Sequence, residues 1–156
     1  QGLDVVHPDH GPPPNPPSPP GVNIDHNIIQ SKWGEYYWFY QQVKNRGPWD
    51  YKQVGKPPNP KDINPPVGPP WKSPYEDFGN FNYGATGAAV GFDLETLLRM
   101  AGYAASKAGT GSGKGSPLGK PPYGDDPRDQ EMIEQGYKYY KYYEAYFRAL
   151  NEKKGR

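Results

Sequence analysis

The chain has 156 residues, of which 20 are glycine and 21 are proline, and its formal net charge is +1. That length suits one domain of ordinary size. Leucine, isoleucine, valine and phenylalanine together make up about 15% of the residues, below the roughly 20% at which an aliphatic core becomes doubtful. The low net charge argues against a fully disordered chain. We therefore expect a domain that folds around its 14 tyrosines and 4 tryptophans, with long irregular segments attached.

The same composition excludes several classes of protein. The longest apolar run, at residues 88–92, is far shorter than the ~20 residues of a membrane-spanning helix, so stable membrane insertion is not expected. The absence of cysteine excludes disulfides and thiolate zinc sites. The Gly/Ser-rich stretch at Lys114 is not a phosphate-binding loop, because glycine follows the lysine where a hydroxyl is needed. We predict neither a cofactor nor a metal site.

Proline-rich and glycine-rich stretches divide the chain. Residues 1–21 are predicted to be a Pro-rich linker, because prolines lack the amide donors that helices and sheets require. Residues 22–152 are predicted to be the folded domain. Within it, residues 55–74 are a predicted Pro-rich loop, and residues 108–122 are a predicted Gly/Ser-rich flexible loop. A loop as long as the first is uncommon unless it is functional.

The remaining blocks have helical periodicity, and none alternates like a strand. One helix is predicted over residues 24–46 and a short one over residues 84–92. Asp93 is expected to cap a third helix, and Asp126, followed by Pro127, a fourth. The apolar stripe of the first helix consists of Ile29, Trp33, Tyr37, Tyr40 and Val43. We predict a compact all-α domain with long Pro-rich and Gly-rich loops.

Three segments combine carboxylates, amides and aromatic rings at a density that packing alone does not require. Motif 1 is GPWDYKQ at residues 47–53, motif 2 is YEDFGNFNYGATG at residues 75–87, and motif 3 is GDDPRDQ at residues 124–130. Motif 2 is predicted to be a loop that leads into the helix at residue 84. Helix capping accounts for part of motif 3. We predict that the three motifs meet at one crevice.

These motifs, with the aromatic helix around Trp38, resemble the signature of the bacterial polymorphic toxin type 44 domain. The resemblance covers roughly residues 22–145. It implies an antibacterial effector module that is carried on a secreted delivery scaffold, such as a type VI or Rhs-type polypeptide, and is neutralised by a cognate immunity protein. Delivery would be into a competing bacterium, with the periplasm favoured and the cytoplasm as the alternative.

The residues favour a hydrolase that cleaves the glycan strands of peptidoglycan. That reaction requires a pair of carboxyl groups beside the sugar, one of them protonated. Glu76 or Asp77, among the rings of motif 2, is the predicted acid, and Asp50, Asp125 or Asp126 the second carboxylate. The predicted catalytic residues are thus Asp50, Glu76, Asp77 and Asp126, and the predicted substrate-binding residues are Trp49, Lys52, Asn80, Asn82, Tyr83 and Asp125.

Two alternatives remain open on the residues. A ribonuclease needs a base, an acid and cations for the phosphate, roles that His26, Lys52, Glu76 and Arg128 could fill. Acids outnumber bases in the three motifs, which favours the glycan. A non-enzymatic binding module is the other alternative.

The stretch from residue 80 to residue 94 is similar to part of the family 19 chitinases, which implies a lysozyme-like helical fold.

Overall fold

The computed structural model describes residues 14–51, 74–144 and 152. These residues form five α-helices and no strand, which confirms the predicted all-α domain. The helices are α1 (Ile24–Ser31), α2 (Tyr36–Val43), α3 (Pro74–Val90), α4 (Leu94–Ala108) and α5 (Pro127–Tyr142). Within the described ranges, no helix has the length and apolarity needed to cross a bilayer. The lysozyme-like architecture and the domain limits stay predictions, and residues 55–73 of the Pro-rich loop lie outside the described residues.

Two helices begin where their caps predict. The Asp93 side chain accepts a hydrogen bond of 2.7 Å from the Thr96 backbone N–H, which places it at the N-cap of α4. The Asp126 side chain accepts one of 2.8 Å from the backbone N–H of Arg128, and Pro127 is the first residue of α5. Each cap provides an acceptor for an amide that the helix itself leaves unpaired.

The single helix predicted over residues 24–46 is wrong, because the chain turns between α1 and α2. The backbone N–H of Gly34 donates to the Ser31 carbonyl over 3.0 Å, which closes a turn. A side chain at Gly34 would collide with the ring of Trp38, so glycine permits the close return. This turn sets the face that α2 presents to the core: Phe39 is buried, whereas the predicted stripe residues Trp33, Tyr37 and Tyr40 are exposed.

The prediction for motif 2 is also wrong, because the whole motif lies in helix α3. This helix begins at Pro74, ten residues before the predicted start at residue 84, and it ends at Val90. Phe78, Phe81 and Ala85 are fully buried along it. Two of the residues that predict a loop, Asn82 and Gly84, make tertiary contacts from this helix, with Asn27 and with Ile133.

Helices α3 and α5 make the most extensive helix–helix contact of the described residues. Two glycines let their backbones touch. A Cβ at Gly84 would overlap the carbonyl of Ile133, and a Cβ at Gly136 would overlap the carbonyl of Phe81. Beside this contact, the ring centroids of Phe81 and Tyr139 lie 5.4 Å apart. The aromatic core is therefore built around a crossing that only small residues allow.

The Gly/Ser-rich loop after α4 is held in place by Arg99. Its Nη1 donates to the backbone carbonyls of Pro117 and Gly119 at 2.9 and 3.0 Å. The guanidinium carbon lies 4.6 Å from the ring centroid of Tyr123. Gly102 of α4 gives room for the Tyr123 carbonyl, since a Cβ there would overlap it. These contacts fix the segment that leads into motif 3.

We predict that Gly84→Ala and Gly136→Ala each destabilise the fold by about 2–4 kcal/mol, because a methyl group at either position forces the helix backbones apart. Gly79→Ala is the matched control on the same helix: its Cβ would meet only the Tyr51 Cβ at 3.9 Å, an ordinary contact. There the higher helix propensity of alanine should leave stability unchanged or slightly raised. Urea unfolding followed by circular dichroism measures all three. Equal stability of the three variants would contradict the proposed packing constraint.

Candidate functional site

Motifs 2 and 3 meet through an ion pair between Asp77 and Arg128. Asp77 lies in the first turn of α3, and Arg128 is the second residue of α5. The guanidinium donates twice, from Nη2 to Oδ2 over 2.8 Å and from Nε to Oδ1 over 3.3 Å. Hydrogen bonding to Asp77 and its charge raise the pKa of Arg128. The Arg128 side chain is 49% exposed, so a charged pair faces solvent at this junction.

Motif 1 reaches the same end of α3 through an aromatic contact. The ring of Tyr51 meets that of Phe78 edge-on, with centroids 4.9 Å apart. Just before it, the Asp50 carboxylate accepts a hydrogen bond of 2.7 Å from the backbone N–H of Arg46, a residue with a positive φ of 62°. Asp50 therefore stabilises the strained turn that precedes Tyr51, the residue that contacts α3.

The two aspartates of motif 3 organise the start of α5. Asp125 is buried and accepts a hydrogen bond of 2.8 Å from the Gln130 side chain and another of 2.8 Å from the Asp126 backbone N–H. Gln130 also donates to the backbone carbonyl of Leu98 over 3.1 Å, which ties α5 to α4. The side chain of Asp126 is only partly buried. Of the two carboxylates, Asp126 is the one that is placed nearer to solvent.

A buried polar network connects α1, motif 1 and motif 2. Asn27 donates from Nδ2 to the Tyr51 hydroxyl and to Oδ1 of Asn82, each over 2.9 Å. Asn82 is fully buried, and its backbone carbonyl accepts from the Thr86 hydroxyl. Burial raises the pKa of Tyr51 to about 12, despite the hydrogen bond from Asn27. Asn82 would meet a substrate only if this network opened.

Trp49 and Tyr83, which the sequence assigns to substrate binding, pack against the protein core, and Tyr83 is partly buried. Trp49 is buried and meets Trp38 edge-on, with ring centroids 5.5 Å apart. The Tyr83 hydroxyl donates to the backbone carbonyl of Leu97 over 2.8 Å. Burial, and then the charge of Asp125, raise the pKa of Tyr83. These contacts give both side chains a supporting position beneath the motifs.

The other predicted site residues lie in the first half of α3, on α1 or outside the described residues. Glu76 is only 4% exposed, although its neighbour Asp77 reaches solvent. Asn80 is partly buried and donates to the backbone carbonyl of Glu76 over 3.3 Å. Lys52 lies outside the described residues. His26 is exposed on α1.

A cleft of about 440 Å³ beside motif 3 carries two carboxylates that sequence reasoning missed. They are Glu131 and Glu134, three residues apart on α5, and this spacing places them on one helix face. Glu134 forms an ion pair of 3.1 Å with Lys138. The cleft is lined by Leu98, Pro121, Pro122, Tyr123, Pro127, Gln130, Glu131 and Glu134. Across the part of the chain that the structure describes, no cluster of three or more His, Asp or Glu side chains could hold a metal ion.

A protein-family model described as bacterial toxin 44 matches residues 38–142, well over half of the chain. The chain belongs to the bacterial toxin 44 family. The matched range contains all three motifs and the crossing of α3 and α5, and the resemblance seen in the sequence is thereby confirmed. Membership of this toxin family indicates a cognate immunity protein as a partner. No curated protein and no solved structure matches it.

We predict that the stability of the toxin domain falls by about 2–3 kcal/mol as the pH rises from 10 to 12, through Tyr51 alone. The pKa of this tyrosine is raised from its ordinary 10.0 to about 12, so the folded state holds the proton more tightly than the unfolded state. The stabilisation is complete below pH 10 and disappears as the pH passes 12. In Tyr51→Phe, the loss over the same range should be smaller by that amount. Urea unfolding across this range tests this, and identical slopes for both proteins would contradict it.

Proposed function

We propose that this bacterial toxin domain is a hydrolase that cleaves the glycan strands of peptidoglycan with carboxyl groups at the start of α3. The supporting observation is the Asp77–Arg128 pair. It joins motif 3 to the helix turn that carries Glu76 and Asp77. The Tyr51–Phe78 contact joins motif 1 to the next turn. Carboxylates from distant parts of the sequence are thus attached to one end of one helix.

The two neighbouring acids of motif 2 have different surroundings, which suits different roles. Glu76 is almost fully buried, as are Tyr75 and Phe78 in the same part of α3. Because Glu76 is the more buried of the two acids, we assign proton donation to it. Asp77 is paired with a guanidinium and partly accessible, which suits a carboxylate that binds and orients the sugar beside the acid.

The second catalytic carboxylate in this proposal is Asp50 or Asp126. Each is partly buried and lies in a segment attached to the start of α3. We retain Asn80 and Lys52 as contacts for sugar hydroxyl and acetamido groups. Trp49, Asn82, Tyr83 and Asp125 act in this proposal as the scaffold that holds the motifs in position. The burial of Trp49, Asn82 and Asp125 and the hydrogen bond from Tyr83 to Leu97 support this role.

Delivery and destination complete the proposal. A bacterial toxin that acts on peptidoglycan must reach the periplasm of the target cell, where its substrate lies. We propose that the domain is secreted on a larger delivery scaffold of the type VI or Rhs kind. Residues 1–21, rich in proline, would link the toxin domain to that scaffold. The end of this segment contacts the domain, where the Tyr75 hydroxyl donates to the Pro20 carbonyl over 2.7 Å.

We expect Glu76→Gln and Asp77→Asn each to lower glycan hydrolysis by at least about 100-fold, since each removes a proton donor or a charge from the reaction. The assay is the release of soluble fragments from purified peptidoglycan. Glu95→Gln is the matched control, because Glu95 is exposed on α4 and pairs with Arg99 over the same 2.8 Å as Asp77 does with Arg128. Circular dichroism confirms that each variant is folded. Full activity of both variants would show that the carboxyl groups at the start of α3 are not catalytic.

A second candidate function, ribonuclease, is favoured by Arg128. Its half-exposed guanidinium beside Asp77 is of the kind that binds a phosphodiester. The two candidates differ in the compartment where they are toxic. We expect lysis when the domain is directed to the periplasm of an unprotected cell, and normal growth when it is expressed in the cytoplasm. Growth arrest with degraded RNA on cytoplasmic expression would reverse this assignment. Toxicity that survives both Glu76→Gln and Asp77→Asn would favour a non-enzymatic binding module.

A further inference from the structure

Four large aromatic side chains form an exposed stripe on α2 and the turn before it. The exposed fractions are 64% for Trp33, 59% for Tyr36, 73% for Tyr37 and 55% for Tyr40. We call this set the aromatic stripe. Within α2, Tyr40 shares a helix face with Tyr36 and Tyr37, from which it is four and three residues away. Trp33 lies in the turn that precedes the helix. The core of the described residues is itself aromatic and short of aliphatic side chains, yet these rings are left on the surface.

The exposed area of the aromatic stripe is large for one patch on a single protein. At roughly 200 Å² for each aromatic side chain, the exposed part is on the order of 500 Å². Apolar patches of that size on single proteins are often functional, and a standard interface takes about 800 Å² from each partner. Tyrosine and tryptophan are the residues most enriched at the energetic centres of such interfaces. The stripe therefore has the size and composition of the centre of a protein–protein interface.

The charges around the aromatic stripe favour a protein over a nucleic acid. Lys44, one turn after Tyr40, and Arg46 are exposed at one end, and Glu35 is exposed at the other. Within the described ranges, neither Lys44 nor Arg46 forms an ion pair. A strand of RNA needs cations along its whole path, and here the rim changes sign from end to end. A protein partner with acidic groups facing Lys44 and Arg46 would match this rim and be oriented by it.

We propose that the aromatic stripe is the docking surface for the cognate immunity protein, which would present an apolar groove with an acidic edge. The turn from Arg46 to Asp50 lies against the end of α2, because the backbone N–H of Trp49 donates to the Gln42 carbonyl over 2.8 Å. A partner seated on the aromatic stripe would cover this turn and obstruct access to motif 1. The inhibitory part of this inference rests on the proposed function, whereas the docking part does not.

The test is calorimetric titration of the toxin domain with its immunity protein. We expect the double variant Tyr37→Ala/Tyr40→Ala to bind about 100-fold more weakly and to stay toxic in cells that produce the immunity protein. Tyr103→Ala is the matched control, because Tyr103 is 58% exposed on α4, outside the stripe, and its affinity should equal that of the unmodified domain. A second variant, Lys44→Glu, should bind several-fold more weakly at low salt and lose most of the salt dependence of binding.

Three outcomes would overturn the proposal. The first is unchanged affinity of the folded double variant. The second is a toxin dimer, measured by light scattering, that becomes monomeric in the double variant, which would make a second copy the occupant. The third is binding of a single-stranded oligoribonucleotide that the double variant loses while its affinity for the immunity protein is unchanged. Failure of the proposed catalytic function is distinguishable, because it alters the hydrolysis assay and leaves these affinities as they are.

Discussion

The fold depends on the close approach of two helix backbones where α3 crosses α5. Gly84 and Gly136 each lie where a methyl group would overlap a carbonyl of the other helix. A chain with few aliphatic side chains gains dispersion energy there by bringing backbone atoms themselves into contact. Aromatic rings then fill the space on either side of the crossing. Because motif 2 lies in α3 and motif 3 begins α5, the crossing also determines where the candidate site lies.

Because motif 2 is helical, one of its faces packs in the core and its first turn belongs to the candidate site. Phe78, Phe81 and Ala85 point into the core, while Asp77 in the first turn reaches the guanidinium of Arg128. Negative charge is stabilised at the start of a helix, where unpaired amide groups give the axis a positive end. The start of α3 is therefore a favourable place for carboxylates, and it is also where the other two motifs are attached. Substitutions in this segment can change both stability and chemistry, so the two must be measured separately.

The parts of the fold that local chemistry determines were predictable from the sequence. Asp93 and the Asp126–Pro127 pair mark two helix starts, because an N-cap needs only residues within one turn. The start of α3 was not predictable in this way, since glycine and asparagine favour loops locally and their value in α3 depends on a partner distant in sequence. The predicted apolar stripe from Ile29 to Val43 has helical spacing, but Tyr37 and Tyr40 are exposed. The reason is that the turn at Gly34 determines which side of α2 meets the core. Among the site residues, a single sequence could not separate buried Asn82 from accessible Asp77, because that difference arises from tertiary packing.

Arg99 holds the Gly/Ser-rich loop mainly through the backbone of the loop. The guanidinium binds backbone carbonyls of the loop and the face of one ring. Carbonyl groups are common to all residues, so this anchor does not recognise most of the side chains between α4 and motif 3. Exposed positions such as Leu118 can diverge while the entry into α5 keeps its geometry. Gly111 and Gly115 cannot, because a Cβ at either would overlap a backbone carbonyl. The loop is thus a natural place for related toxins to differ without disturbing the helices that they share.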